Sequence, residues 1–170
     1  MVSTLNGKIT KGDDSNIYEW TSKEDQEYFF SLLAKNNVVI MGSKTYDVVK
    51  SRIRLRKNLL RIVLTKDPKK YIQEIIPGQL EFSNENLHDL VKRLELKRYK
   101  RILIVGGAKV NSSFIKARLV DELFLTIEPK IFGKGKPLFD EGKFDKSLEL
   151  MTIRKLNKSG TLLLKYKLLK

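Results

Sequence analysis

Short, wholly apolar runs alternate along this chain with longer segments in which apolar residues recur every three or four positions. The runs VVIM at 38–41 and ILIV at 102–105 are apolar at every position, which is typical of strands buried on both faces of a sheet. The segments 22–35 and 84–97 have instead the spacing of amphipathic helices. This alternation predicts an α/β domain with a largely parallel sheet.

Toward the C-terminus the pattern changes, because three strand-like segments follow one another with no helix between them. The turn-like sequence NKSG at 157–160 joins the last two, which predicts an antiparallel hairpin at the edge of the sheet. We expect a single domain over residues 1–170. The predicted order is strand 1–5, helix 22–35, strand 37–41, helix 44–50, strand 59–65, a short turn or helix from 67, strand 79–82, helix 84–97, strand 101–105, helix 109–116, and strands 119–128, 148–156 and 161–169.

The chain is strongly basic, with 34 Lys and Arg against 20 Asp and Glu and a formal net charge of +14. Such an excess is typical either of a solvated, lysine-rich surface or of a protein that attracts an anion. The basic residues are scattered and are not interleaved with aromatic residues as in a stacking platform for single-stranded nucleic acid. We therefore expect a small anionic ligand and no nucleic-acid partner.

Two residue counts exclude several kinds of chemistry. The sequence contains no cysteine, which excludes disulfides and thiolate catalysis, and a single histidine excludes a histidine-based metal cluster. The apolar runs are too short to span a bilayer, and the first residues lack the pattern of a signal peptide. We expect a cytoplasmic protein that binds no metal and no membrane.

Glycines stand where two predicted strands meet the helices that follow them, in VVIMGSKTY around Gly42 and in RILIVGGAKV at Gly106 and Gly107. At such a junction the free N–H groups and the helix dipole favour a phosphate group. The alternative is a tight turn with an ordinary helix cap. Because both junctions follow the carboxyl ends of strands, together they favour a dinucleotide.

Asp25 stands in the first turn of helix 22–35, close to Trp20 and Phe29. One interpretation is an exposed acid that stabilises the helix dipole, beside a capping box formed by Thr21 and Glu24. The other is a desolvated acid that binds a polar heterocycle or assists proton transfer. The sequence alone leaves both open.

Five stretches, taken together, resemble the dihydrofolate reductase-like superfamily: STLNGKI, WTSKEDQEYF, VVIMGSKTY, ILIVGG and LVDELFLTIEPKIFGKGKPLF. This superfamily includes dihydrofolate reductase and the C-terminal reductase domain of bacterial riboflavin biosynthesis proteins. The resemblance runs from Ser3 to Phe139. It implies a mostly parallel central sheet flanked by helices, a C-terminal antiparallel hairpin, and hydride transfer from NADPH.

The resemblance also implies which residues form the site. Asp25 and Thr126 would be the catalytic pair, with the threonine supporting the acid through a hydrogen bond. The implied substrate contacts are Trp20, Phe29, Arg56 and Thr4. The implied cofactor contacts are Gly42, Ser43, Lys44, Thr45, Thr65, Lys66, Val105, Gly106, Gly107, Ala108, Lys109 and Val110.

Two branches of the superfamily fit the sequence. Asp25, Arg56 and Thr126 match dihydrofolate reductase proper, so we predict reduction of 7,8-dihydrofolate to tetrahydrofolate. The sequence LVDEL and residues 129–139 resemble the riboflavin-type branch, whose substrate is 5-amino-6-(5-phosphoribosylamino)uracil, and this is the alternative. Riboflavin-type relatives often pair through their C-terminal strands, which implies a possible homodimer.

Three positions depart from the family pattern. Asn6 stands where riboflavin-type sequences usually have Asp, and Ser43 replaces a common Arg beside the cofactor phosphates. Asn111 stands where many dihydrofolate reductases place a Tyr near the nicotinamide. These departures bear on the substrate and on the strength of cofactor binding more than on the fold.

Overall fold

The computed structural model describes residues 1–169 and contains two four-stranded sheets with helices packed against them. Each element follows the predicted order, with bounds that differ from the prediction by a few residues. In chain order the elements are β1 (Val2–Thr4), α1 (Lys23–Lys35), β2 (Val38–Gly42), α2 (Ser43–Val49), β3 (Leu60–Leu64), β4 (Leu80–Ser83), α3 (Leu87–Leu96), β5 (Ile102–Ile104), α4 (Ala108–Lys116), β6 (Glu122–Glu128), β7 (Leu148–Lys155) and β8 (Leu162–Leu168).

The first sheet is entirely parallel and has the strand order β4-β3-β2-β5. Its central strands β2 and β3 are buried on both faces, as the unbroken apolar run of β2 predicted. The other unbroken run, β5, is instead an edge strand of this sheet and is only half-buried. Val38 and Ile40 pack on one face against Leu90 of α3 and Phe114 of α4. The opposite face packs against an aromatic cluster formed by Tyr46, Tyr71 and Phe82.

The second sheet has the order β1-β6-β8-β7, with β1 parallel to β6 and the other pairs antiparallel. The predicted C-terminal hairpin is therefore confirmed as β7 and β8, joined through the turn at 157–160. The predicted parallel sheet is likewise confirmed as the first sheet, and the antiparallel strands form a second sheet together with β1. Within the described residues β7 is an edge strand, and all of its residues are exposed.

Helix α1 starts one residue later than the capping box predicted. Ser22, not Thr21, is the N-cap, and its Oγ accepts the N–H of Asp25 at 3.3 Å. The Thr21 hydroxyl instead accepts from the Gln26 side chain at 3.2 Å. Ser22 has the extended conformation that a cap requires, and its N–H donates to the distant carboxylate of Glu128 at 2.7 Å.

A strap formed by residues 5–12 runs beside the segment 130–138 that follows β6. Backbone hydrogen bonds of 2.8–2.9 Å join Ile9 to Lys136 and Gly12 to Lys134. In residues 1–169 no helix is both long and apolar enough to cross a membrane. The expectations of a cytoplasmic location and of a single domain stay predictions.

Candidate active site

Most of the predicted site residues line one extended open cleft, which also reaches α3 and residues 98–101 before β5. It is bordered by α1, by the carboxyl ends of β2, β3 and β5, and by the first turns of α2 and α4. The predicted residues that border it are Asp25, Phe29, Arg56, Thr126, Gly42, Ser43, Lys44, Thr45, Thr65, Lys66, Val105, Gly106, Gly107, Ala108, Lys109 and Val110. The apolar face of α1, including Phe29, is only half-buried because it faces this cleft.

Asp25 is the one fully buried residue of α1, at 7% exposure, and it borders the cleft. The Thr126 side chain, from β6, lies close to this carboxylate and stabilises its charged form. Burial raises the pKa of Asp25 above its ordinary value, and Thr126 opposes this only in part. Of the two interpretations of Asp25, its burial therefore supports the desolvated acid and not the exposed one. Asp25 holds its proton more tightly than a free aspartate does.

Glu128 lies two residues after Thr126 on the same face of β6, and it is 2% exposed. One carboxylate oxygen accepts the Ser22 N–H at 2.7 Å, and the other accepts the Thr161 hydroxyl at 2.8 Å. Its negative charge adds to the rise in the pKa of Asp25. Glu128 thus connects β6 to the first turn of the helix that carries the acid.

The two glycine junctions lie against each other. The Gly42 N–H donates to the Gly106 carbonyl at 2.9 Å, and the Gly106–Gly107 peptide bond is cis. A Cβ on Gly42 would come within 3.0 Å of Val110 Cγ2, and a Cβ on Gly107 within 3.3 Å of Thr45 Oγ1. Glycine at these two positions lets α2 and α4 approach closely, and a larger residue would require a shift of a few tenths of an ångström.

The starts of α2 and α4 have the chemistry that a dinucleotide requires. Gly42 and Gly107 are the N-caps of these helices, so no side chain caps the first-turn N–H groups. Lys44, Lys66 and Lys109 are exposed cations beside them on the cleft. Free N–H donors, positive helix ends and nearby ammonium groups together favour a pyrophosphate with a further phosphate. These residues therefore fit the cofactor implied by the resemblance.

Three arginines lie at another part of the cleft, on and beside β3. Arg56 and Arg54 are exposed on the loop before the strand, whereas Arg61 lies within it and is 5% exposed. Arg61 Nη2 donates to the Arg54 carbonyl at 3.1 Å, and its Nη1 has no partner among the described residues. The site prediction named Arg56 but not Arg61.

Two predicted substrate contacts do not border the cleft. Trp20 is 6% exposed and packs edge-to-face on Phe132, with ring centroids 5.4 Å apart. Thr4 is also buried, and its hydroxyl donates to Asn6 Oδ1 at 2.7 Å and accepts the Lys8 N–H at 3.0 Å. Both residues stabilise the strap and the segment after β6, and their roles in substrate binding stay predictions.

Asn6 and Asn111, which depart from the family pattern, both bind the segment after β6. Asn6 donates its side-chain amide to the Phe132 carbonyl at 2.8 Å. Asn111 is 4% exposed and donates Nδ2 to the Leu138 carbonyl at 2.9 Å, while its Oδ1 has no partner in the described residues. These asparagines therefore have a structural role in holding that segment against β1 and α4.

The family of the chain follows from a comparison with known proteins. A family model, described as the RibD C-terminal domain, matches residues 1–162. The chain belongs to this family. It is also similar to the uncharacterized protein YyaP of Bacillus subtilis, with 31% identity over 161 residues that cover 89% of this chain and 84% of YyaP.

Solved structures show the same fold as this RibD C-terminal domain. A putative riboflavin biosynthesis protein from Shewanella superposes with a TM-score of 0.80 and 21% identity, covering 100% of this chain and 97% of that one. A dihydrofolate reductase from Enterococcus faecalis superposes with a TM-score of 0.65 and 20% identity, covering 99% and 94%. The predicted membership of the dihydrofolate reductase-like superfamily and its α/β fold are confirmed.

Proposed function

We propose that this chain is an NADPH-dependent reductase of a small heterocyclic substrate. The observation that carries the proposal is the position of Asp25, which is buried on the same cleft as the two glycine junctions. One part of the cleft has donors and cations for phosphate groups, and another has an acid with a raised pKa. A reduction by hydride transfer needs both a bound hydride donor and a group that manages the accompanying proton.

The cofactor would lie along the starts of α2 and α4. Backbone N–H groups after Gly42 and Gly107 would bind its pyrophosphate, and Lys66 with Thr65, at the end of β3, would bind the additional phosphate that distinguishes NADPH from NADH. When bound, the nicotinamide supplies the hydride. The protein would orient the substrate, exclude water from the cleft and transfer the proton that accompanies the hydride.

Asp25 would orient the heterocycle and control that proton. Its carboxylate lies beside Thr126, and its backbone is fixed by the N-cap Ser22, whose own N–H is bound by Glu128. Because burial raises its pKa, Asp25 is closer to the operating pH than an exposed aspartate, which favours general acid–base catalysis.

For the substrate, the comparisons favour the riboflavin-type pyrimidine over dihydrofolate. The family match covers nearly the whole chain, and the riboflavin biosynthesis protein superposes more closely than the dihydrofolate reductase does. This reverses the order that the sequence motifs suggested. We therefore place 5-amino-6-(5-phosphoribosylamino)uracil first, as the substrate that would take up hydride and a proton.

Dihydrofolate remains the second candidate, because specific contacts favour it. Thr126 lies beside Asp25, which supports the pairing that the resemblance to dihydrofolate reductase implied, and Arg56 borders the cleft, where it would bind a carboxylate. An acid that is both buried and hydrogen-bonded suits a polar ring with adjacent N–H donors, which both substrates have.

The test is NADPH oxidation, followed by absorbance, with each of the two substrates in turn. We expect turnover with the pyrimidine and little or none with dihydrofolate. Asp25→Asn should lower turnover by about 100-fold or more, within the range of general acid–base catalysis. Glu27→Gln, an exposed carboxylate on the same helix, is the matched control and should leave turnover unchanged.

A different outcome would change the proposal in a defined way. Turnover with dihydrofolate alone would restore dihydrofolate as the substrate and keep the role of Asp25. If the protein binds NADPH but oxidises it with neither substrate, the assignment as a reductase for these two substrates is contradicted.

A further inference from the structure

A short 3₁₀ helix after β3, Pro68–Glu74, packs against α2 on the face of the parallel sheet that carries the aromatic cluster. Tyr71 is its buried residue, at 4% exposure. The Tyr71 ring stacks on Phe82 of β4, with the ring centroids 4.5 Å apart and the planes 4° apart. This stacking fixes the direction in which the Tyr71 hydroxyl points.

The Tyr71 hydroxyl lies at the wall of the cleft, where it binds α2. It donates a hydrogen bond to Asp47 Oδ2 at 3.0 Å, and the Ser43 side chain lies close to it. Ser43 and Asp47 are four residues apart and therefore share one face of α2. All three residues border the cleft. Tyr71 thus holds the first turn of α2, whose free N–H groups would bind the pyrophosphate.

A second tyrosine makes a comparable bond behind the cleft. Tyr46 of α2 donates its hydroxyl to Glu74 Oε2 at 2.7 Å, and neither residue borders the cleft. Lys50 reinforces both contacts, because its Nζ lies 3.6 Å from Glu74 Oε1 and 3.9 Å from Asp47 Oδ1. The helix 68–74 is thus tied to α2 at two places, and the bond made by the Tyr71 hydroxyl is the one on the cleft.

The helix 68–74 also holds the cations at the end of β3. It begins two residues after Lys66, which with Thr65 would bind the additional phosphate of NADPH. Lys70 is exposed on the cleft like Lys66, and its Nζ lies 5.4 Å from the centroid of the Tyr71 ring. The position of Tyr71 therefore determines where both ammonium groups stand relative to α2.

We propose that Tyr71 is a positioning residue that sets the spacing between the two phosphate-binding parts of the cleft, at the start of α2 and at the end of β3. The inference rests on the proposed function, because both parts would bind the same dinucleotide. A ligand with phosphate groups at both parts gains its full affinity only when the two are matched at once. Loss of the Tyr71 hydroxyl should therefore weaken NADPH, which reaches both parts, more than NADH, which reaches only the first.

The charge of Asp47 gives the same order. Asp47 stands one turn from the proposed pyrophosphate site, where a free carboxylate would repel a phosphate. At present its Oδ2 accepts from Tyr71, and its Oδ1 lies beside Lys50. Without the Tyr71 hydroxyl this carboxylate loses a donor, and its repulsion is larger for the cofactor that carries one more phosphate group.

The test measures the Kd of NADPH and of NADH by fluorescence titration, at constant ionic strength and without substrate or phosphate buffer. Tyr71→Phe keeps the stacked ring and loses only the hydroxyl. We expect it to raise the Kd of NADPH about five- to tenfold and that of NADH less than about twofold. Tyr46→Phe is the matched control, because it loses the bond to Glu74 behind the cleft, and it should leave the ratio of the two Kd values unchanged.

Two variants of Asp47 test the same hydrogen bond from its other side. Asp47→Asn and Asp47→Ala lose the same charge, but only asparagine keeps a side-chain oxygen for the Tyr71 hydroxyl. We expect the preference for NADPH over NADH to be about fivefold lower in Asp47→Ala than in Asp47→Asn. This pair decides the proposal if Tyr71→Phe does not fold.

The remaining outcomes separate this proposal from the proposed function. An unchanged ratio in Tyr71→Phe, or an equal change in Tyr46→Phe, would overturn the positioning role, because the hydroxyl would then act only through the stability of the fold. Equal Kd values of NADPH and NADH for the wild type would also overturn it. Binding of neither nucleotide at millimolar concentration would overturn both this proposal and the proposed cofactor. If the ratios change as expected but NADPH is oxidised with neither substrate, the reductase function is contradicted and the role of Tyr71 stands.

Discussion

The Glu128 carboxylate and the Ser22 backbone N–H, 106 residues apart in the chain, are joined by a 2.7 Å hydrogen bond. Ser22 caps α1, and its own hydroxyl accepts the N–H of Asp25. The position of Asp25 opposite Thr126 therefore depends on a carboxylate two residues further along the same strand. Glu128 acts on the site through Ser22 and does not need to contact the substrate.

We expect Glu128→Ala to loosen the first turn of α1 and to lower turnover at least about tenfold. It should also lower the free energy of unfolding by about 1–3 kcal/mol, because the Ser22 N–H and the Thr161 hydroxyl lose their buried acceptor. Glu128→Gln keeps an oxygen for Ser22 and should restore most of the turnover. Steady-state kinetics and denaturant unfolding measure the two effects.

Thr161→Ala tests whether Glu128 affects turnover through Ser22 or only through the general stability of the fold. Thr161→Ala removes a hydrogen bond to the same carboxylate but leaves the Ser22 contact in place. It should lower stability by a similar amount while turnover stays near that of the wild type. If Thr161→Ala and Glu128→Ala lower turnover equally, Glu128 does not position Asp25.

Asp25→Asn should increase stability at neutral pH. In the folded protein the pKa of Asp25 lies above 3.8, the ordinary value that the unfolded chain has. Between those two values the folded state carries more protons than the unfolded state, so stability falls as the pH rises through that window. Above both values this cost is fully present, and a neutral asparagine, whose side-chain oxygen can still accept from Thr126, removes it.

Unfolding of the wild type and of Asp25→Asn should therefore be measured from pH 7 downward. We expect the variant to be more stable at pH 7 and the difference to shrink as the pH approaches 3.8. Glu27→Gln, exposed on the same helix, controls for the loss of one negative charge. A variant that is less stable than the wild type at pH 7 would show that the carboxylate contributes more through its hydrogen bond than it costs through burial.

Most elements of the fold follow from local pattern. The apolar run at 38–41 becomes β2, buried on both faces, and the glycine that ends it becomes the N-cap of α2. The burial of Asp25 was one of two interpretations that the flanking aromatic residues allowed. These features depend on residues close together in the chain, which is why sequence periodicity predicts them.

The features that the sequence did not predict depend on distant partners. The N-cap of α1 is Ser22 and not Thr21, and the Ser22 N–H donates to Glu128, a contact that no local pattern contains. Arg61 has a visible signal, since it is a charged residue inside the otherwise apolar run LLRIVL. A strand predicted to be buried on both faces leaves such a residue no exposed side, and Arg61 is accordingly 5% exposed, with its Nη1 unpaired among the described residues.

Gly42→Ala should weaken NADPH binding without unfolding the protein. The backbone of Gly42, with φ −84°, accepts any residue, so the cost comes from the contact of the new Cβ with Val110 Cγ2 at 3.0 Å. Since the contact is tight, α2 and α4 must move apart by a few tenths of an ångström. We expect the Kd for NADPH, measured by fluorescence titration, to rise about tenfold, which corresponds to about 1.4 kcal/mol.

Two further variants separate this effect from a general effect of added alanine. Gly133→Ala places its Cβ where no atom lies within 4 Å, and it should leave the Kd unchanged. Val110→Ala removes the methyl group that Gly42→Ala contacts. Because Val110 is itself an implied cofactor contact, the double variant is compared with Val110→Ala, and there Gly42→Ala should raise the Kd much less than about tenfold. A full rise of about tenfold in that background would mean that the spacing of the two helices is not what the cofactor requires.

The edge strand β7 leads us to expect a homodimer. Leu150 and Ile153 are 50% and 57% exposed on a strand that pairs, within the described residues, only with β8. A long edge strand with exposed apolar side chains favours pairing with another strand. Light scattering should give twice the mass of the monomer, and Ile153→Lys, which places a charge on that strand, should shift the protein to monomer.

Leu96→Lys is the control: it replaces a leucine that is 77% exposed at the end of α3, and it should leave the dimer intact. A wild-type protein that is monomeric at micromolar concentration, or a dimer that Ile153→Lys does not weaken, would contradict pairing through β7.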